Sequence, residues 1–326
     1  MTRPARHLHP SDPATLPPGP PDAGTSAPAT PSPHPGPQPT QPGTPPPGLS
    51  PSGWSGREYD LGGSRSACGF AGGRAGVAVR VTVLGGCGAW PAAGEACSGY
   101  LVEEDGFRVL LDVGYATLPR LLHHVRAAEV DAVLVTHGHP DHCADLHPLL
   151  RARVLGDSTV APLPVHAPPG ALDAVLALDG PRMLAGGFVA HDLAPGAPRE
   201  IGPFRLDVFD LPHHVPNAGL RLTGASGRVL AYTGDTGPSP DLLALARDAD
   251  LFLAEATYPE RVPEEDAPYL STAREAGRTA ASAGAARLLL THLWPDTPAE
   301  PALAAAAASY EGELSVAAPG VTVDLG

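Results

Sequence analysis

The sequence predicts an α/β fold in which two β-sheets pack face to face with helices outside, a four-layer αβ/βα sandwich. Three observations carry this expectation. Short apolar strands come first, mixed strands and helices follow, and that order runs through the chain twice. A His-rich stretch, Thr136-His137-Gly138-His139-Pro140-Asp141-His142, directly follows a buried, β-branched run at 131–135. Three further polar groups, at His213-His214, Asp235 and His292, also sit just past apolar strands, where a rigid scaffold best holds ligands.

The chain has 326 residues, enough for one large domain or two small ones. Residues 1–76 hold runs such as Pro31-Ser-Pro-His-Pro-Gly-Pro-Gln-Pro-Thr40 and have almost no apolar periodicity. Such composition cannot bury enough surface to offset backbone entropy, so a disordered Pro/Gly-rich tail and linker is expected there. His7, His9 and His34 fall in that tail and are set aside as ligands. The folded domain is expected over 77–326.

Order begins with an alternating strand at 79–84. The glycines at 85–88 open no helix with phosphate-cradling spacing. Strands at 98–103 and 107–112 flank a Glu104-Asp105-Gly106 turn. Leu118, Leu121, Leu122 and Val125 recur at helical spacing. Gly138 and Pro140 stop the motif strand and argue against a helix through 136–142, so the motif is expected on a tight loop. Leu146, Leu149 and Leu150 then start a helix. Further strands are expected at 163–166, 188–193, 204–209, 220–222, 228–232, 251–253, 288–290 and 321–323. Helices are expected at 171–178, 241–247, 272–283 and 298–310. His166 and His191 lie in strands away from any second ligand and are read as structural.

The formal charge is −14, and every one of the 21 basic residues is arginine. Phosphate binding along a nucleic acid needs clustered positive charge, so a nucleic-acid partner stays open but is not favoured. No segment approaches the roughly 18 apolar residues of a membrane span, and no secretory leader is visible, so a cytoplasmic protein without membrane partner is expected. Cys68, Cys87, Cys97 and Cys143 lack metal-like spacing. Cys143 follows His142 and is read as a small buried apolar residue. Nothing in the sequence decides oligomeric state; a homodimer is an open expectation.

Imidazole and carboxylate are the ligand set of a borderline-soft divalent metal such as zinc. Three histidines and Asp141 within six residues have no comparable structural explanation. With His213 or His214, Asp235 and His292 they make seven ligands. That number suits two metal ions with one shared carboxylate and room for water.

The His-x-His-x-Asp-His spacing resembles the signature of the metallo-β-lactamase fold superfamily. Order and spacing from 79 to 292 resemble the branch with RNase Z-type tRNA 3′-processing endonucleases and related cyclic phosphodiesterases. The resemblance implies a first metal on His137, His139 and His213, a second on Asp141, His142 and His292, and Asp235 as the bridge. His213 is chosen over His214 because Gly219, six residues on, matches the family's spacing. It also implies a dinuclear, zinc-class hydrolase using a metal-bridging hydroxide, with Asp141 as the catalytic residue that orients the hydroxide or takes its proton.

The chain departs from the tRNA-processing pattern in three places. Leu270 stands where that pattern has a proton-donating histidine before Ser271-Thr272-Ala273. Ala254-Glu255-Ala256-Thr257 lacks the histidine of the matching segment, and the stretch between His213 and Asp235 is too short for the long basic arm. The expectation is therefore a phosphodiesterase acting on a small-molecule or short phosphodiester substrate. A tRNA 3′-processing endonuclease, an ester, thioester or lactone hydrolase, and a non-catalytic metal-bound module are the alternatives. Glu255, Tyr258 and Tyr269 are neighbours of the site without an assigned role.

Overall fold

A computed structural model describes residues 79–156, 159–180 and 182–326. The expected tail at 1–76, with Cys68, lies outside the described residues. The first sheet is built from β1 (Arg80–Gly85), β2 (Gly99–Glu104), β3 (Phe107–Val113), β4 (Ala132–Leu134), β5 (Leu163–Ala167), β6 (Phe188–Asp192) and β14 (Thr322–Asp324). The second is built from β7 (Arg199–Ile201), β8 (Phe204–Leu211), β9 (Asn217–Thr223), β10 (Val229–Tyr232), β11 (Leu251–Glu255), β12 (Arg287–Thr291) and β13 (Glu313–Val316). Strand orders are β14-β1-β2-β3-β4-β5-β6 and β13-β12-β11-β10-β9-β8-β7. Helices α1 (Thr117–Leu121), α2 (Pro140–Cys143), α3 (Leu146–Gly156) and α4 (Asp173–Leu176) follow strands of the first sheet. Helices α5 (Asp241–Ala246), α6 (Ala273–Ala283) and α7 (Ala299–Ala307) follow strands of the second.

Strand periodicity explains the layers. In β2, Tyr100 and Val102 point into the cluster between the sheets, while Leu101 points to the helix-covered face. Across the gap Leu220, Leu222, Tyr232 and Leu253 meet Val83, Val102 and Leu134. Tyr100 and Tyr232 contact edge-on at 5.2 Å between ring centres, a geometry worth about 0.5–1.5 kcal/mol beyond burial. On the far face of the second sheet Phe252, Leu288 and Leu290 pack beneath Ala276, Ala280, Ala302 and Ala305. The small alanines of α6 and α7 let these helices lie close to that sheet. Thr272 caps α6, its hydroxyl accepting from the Glu275 N–H at 3.1 Å.

The β2–β3 turn runs through Asp105 and Gly106 at φ 51° and 80°, the two left-handed positions of a tight hairpin. The expected loop at 136–142 needs correction: Pro140 opens α2 as its first residue, where a missing N–H costs nothing. The helix expected around 118–125 is shorter than its apolar spacing suggested and ends at Leu121. Strands β7 and β13 were not anticipated; both edge their sheet region with short, partly exposed sequences. No helix among the described residues is long and apolar enough to cross a membrane.

Candidate metal centre

The His-rich loop leaves β4 at the rim of the first sheet, and three strands of the second sheet end opposite it. His213 follows β8, Asp235 follows β10 and His292 follows β12. The structure brings all seven expected side chains together as two groups that share Asp235. The outer group is His137, His139, His213 and Asp235; the inner group is Asp141, His142, His292 and Asp235. His214 lies outside both, its ring 3.8 Å from Asp266.

In the outer group His139 Nδ1 stands 3.1 Å from both His137 Nε2 and His213 Nε2. Asp235 Oδ2 is 3.8 Å from each of those Nε2 atoms. In the inner group His292 Nε2 is 3.1 Å from Asp141 Oδ2 and from Asp235 Oδ2. His142 Nε2 lies 3.2 Å from Asp235 Oδ1 and 3.6 Å from Asp141 Oδ2. Ligands about 2.0–2.1 Å from a tetrahedral ion sit about 3.3 Å apart, close to these spacings. His142 Nε2 and Asp235 Oδ1 are buried with no hydrogen-bond partner, which is costly unless something else meets them. The donor set fits two divalent ions, one in each group.

Four of the five imidazoles, all but His139, are oriented from behind. His142 Nδ1 donates to Asp112 Oδ2 at 2.7 Å, which turns Nε2 toward the site. Asp112 also accepts from the Thr136 N–H at 2.7 Å, the Thr136 hydroxyl and the Tyr232 hydroxyl at 2.7 Å. The Thr136 hydroxyl in turn accepts from His137 Nδ1 at 3.1 Å. His292 Nδ1 donates to Thr257 Oγ1 at 2.9 Å, and that hydroxyl donates to Glu255 Oε1 at 2.6 Å. His213 Nδ1 donates to the Tyr269 carbonyl at 2.9 Å. Asp141 Oδ2 accepts from the Ala89 N–H at 2.8 Å. Glu255 and Tyr269 thus acquire positions that sequence alone did not give them.

Backbone strain is concentrated here. Asp112 and His292 adopt φ 54° and 61°, left-handed conformations that non-glycine residues hold only when surroundings enforce them. Gly234, at φ 59°, approaches so closely that a Cβ there would lie 2.5 Å from Asn217 Oδ1.

The charges of the two groups differ. Burial keeps His137 and His139 below the usual histidine range and His213 down at about 4, so their lone pairs are free. Burial also opposes charge on His142 and His292, but the Asp235, Asp112 and Asp141 carboxylates outweigh it and raise both. Burial pushes the Glu255 carboxyl up to about 7, helped by Asp235. It likewise pushes the Cys143 thiol up to about 12, and that side chain packs in the core beneath the helices as a small apolar residue.

His166 and His191 stay outside both groups, but they are not isolated from each other. They pair in register on β5 and β6 and stack at 4.7 Å, 19° from parallel. Parallel neighbours are separated by a crossover, so the sequence held no cue to this pairing.

A face-to-face sandwich with a His/Asp site across its strand ends defines a metal-dependent hydrolase. The chain belongs to the β-lactamase superfamily: the model of the β-lactamase superfamily domain matches residues 107–293. It is 34% identical over 218 residues to a Bacillus subtilis protein named "Probable metallo-hydrolase YhfI", covering 66% of this chain and 87% of that one. The crystal structure of the Bacillus subtilis protein superposes with a TM-score of 0.69 at 30% identity, over 76% of this chain and 99% of that one. A protein of Kineococcus radiotolerans named "Ribonuclease Z" is 32% identical over 283 residues, covering 72% and 89%. The human short-form tRNase Z structure matches with a TM-score of 0.61 at 23% identity, over 76% of this chain and 99% of that chain, a likeness of fold.

Proposed function

We propose that the protein is a dinuclear, zinc-class phosphodiesterase for small or short phosphodiesters. The observation that carries this is the sharing of Asp235 between two groups whose free nitrogen and oxygen atoms converge. Two ions bound there would polarise the phosphoryl group and supply a nucleophile from water near neutral pH. The chain's own residues then have defined tasks. Asp141 is fixed by the Ala89 N–H on Oδ2, the oxygen that lies 3.1 Å from His292 Nε2, and from there the carboxylate would orient water or take its proton. Asp112 and Thr257 hold His142 and His292 in place. Burial of His137, Asp141, His142, Asp235 and His292 keeps bulk water from most of the site and strengthens the charge interactions among them.

Processing of tRNA is the second reading, favoured by the name of the Kineococcus relative. Against it, residues 214–234 run through the β9–β10 hairpin, whose turn is clamped by Glu104 accepting from the Ala225 and Ser226 N–H groups at 2.9 Å. Leu270, a buried side chain, offers no proton to a leaving alkoxide.

The deciding experiment compares bis(p-nitrophenyl) phosphate with p-nitrophenyl acetate at matched ion loading, with a pre-tRNA in parallel. Faster turnover of the phosphodiester is expected. Turnover of the acetate alone would move the reading to an ester hydrolase, and efficient 3′-processing of the pre-tRNA would restore the tRNA reading. Absence of all three activities would leave a binding module.

A further inference from the structure

Three aromatic side chains stand together beside the inner group, and nothing above uses them. Trp90 directly follows Ala89, whose N–H holds Asp141. Trp294 lies two residues past His292, and Tyr258 directly follows Thr257, which holds His292. The Trp90 and Trp294 rings are 5.0 Å apart and tilted by 60°, and Tyr258 approaches Trp294 edge-on at 6.3 Å. Gly88 brings this segment flush against the site, since a Cβ there would lie 2.8 Å from the His292 ring.

This cluster is not ordinary core. Trp90 is 48% exposed, and neither tryptophan belongs to a core cluster. The Trp294 indole N–H is buried without a partner, and the same side chain lines a cavity of about 300 Å³ with Glu95, Asp296 and Thr297. An indole face exposed next to a catalytic centre offers stacking energy to a flat ring. The carboxylates of Glu95 and Asp296 in that cavity disfavour a long polyanion passing behind Trp294.

We propose that Trp90, backed by Trp294, is a specificity-determining platform that stacks the flat ring of a nucleobase-bearing phosphodiester while its phosphate reaches the inner group. This rests on the phosphodiesterase reading. It gives the substrate a class: a nucleotide diester small enough to place one base and one phosphate at once.

The test uses the ion-loaded full chain and two esters with the same leaving group, thymidine 5′-(p-nitrophenyl phosphate) and methyl p-nitrophenyl phosphate. The unaltered protein should favour the thymidine ester in kcat/KM. Trp90→Ala should lower the ratio of the two kcat/KM values about tenfold, the size of one base–aromatic stack, and Trp90→Phe should restore most of it. In parallel, thymidine 5′-monophosphate should quench indole emission of the unaltered protein, and Trp90→Ala should lose that quenching. An unchanged ratio in Trp90→Ala, or quenching that survives it, overturns the platform. If neither ester is turned over, the phosphodiesterase reading fails, and the quenching experiment alone decides whether Trp90 binds a base.

Discussion

In the outer group three imidazoles and one carboxylate face a single point, whereas the inner group sets two imidazoles against two carboxylates. His139 and His213 of the outer group are partly open to solvent, and all four inner side chains are buried. Support differs too. The outer His213 leans on a backbone carbonyl, while the inner imidazoles lean on the side chains of Asp112 and Thr257. More negative charge in a drier setting should hold the inner ion more tightly near neutral pH. The lesson is that one shared carboxylate can join two groups of unlike charge and unlike access.

The largest effect should come from removing what the groups share. Asp235→Ala should lower bound ions from about two per chain to fewer than one, and hydrolysis to background, because both groups lose a ligand. Metal analysis after dialysis at fixed free zinc checks this. Retention of about two ions would break the comparison at its root.

Acid should separate the groups next. Bound ions need unprotonated imidazoles. In the ion-free protein the carboxylates raise His142 and His292, so protons enter the inner group already above the usual histidine range. His213, held at about 4, stays unprotonated through that window. Inner affinity should therefore fall by up to about tenfold per pH unit for each proton displaced, while outer affinity, whose three imidazoles are all held below the usual range, falls less. Stepwise chelator titrations at pH 8 and pH 6 measure both. A fall of equal size in both groups would contradict the assignment.

Asp112→Asn should weaken the inner ion by about 10–100-fold, the usual cost of losing a partner behind a ligating histidine. The same chelator titration should find the outer ion little changed. His214→Ala marks the low end. Its ring packs on Tyr269 at 4.3 Å and joins neither group, so ion content should be unaltered by elemental analysis.

Much of this arrangement could be read from residue order. The His-rich motif and the polar residues past β8, β10 and β12 announced themselves because strand ends are fixed points, and hydrophobic runs mark strands well. The layered sandwich followed from the same runs. Asp112 did not announce itself as the hub, because a carboxylate ending a strand looks like any turn residue. Its role depends on Thr136, His142 and Tyr232, which the fold alone brings to it. Thr257 was equally silent, and Glu255 stood out beside the site without a role that the sequence could assign. Pro140 misled because the same ring that breaks a helix also starts one. Strands β7 and β13 escaped because edge strands need few apolar residues.

The hydroxyl of Tyr232 on β10 reaches Asp112 at the end of β3, tying the second sheet to the first at the floor of the site. During synthesis the first sheet's motif loop emerges well before His213, Asp235 and His292, and early segments of a chain fold first. A nascent chain at that stage carries His137, His139 and His142 without the partners that would trap an ion. Neither group is complete until the later sheet has closed against the first.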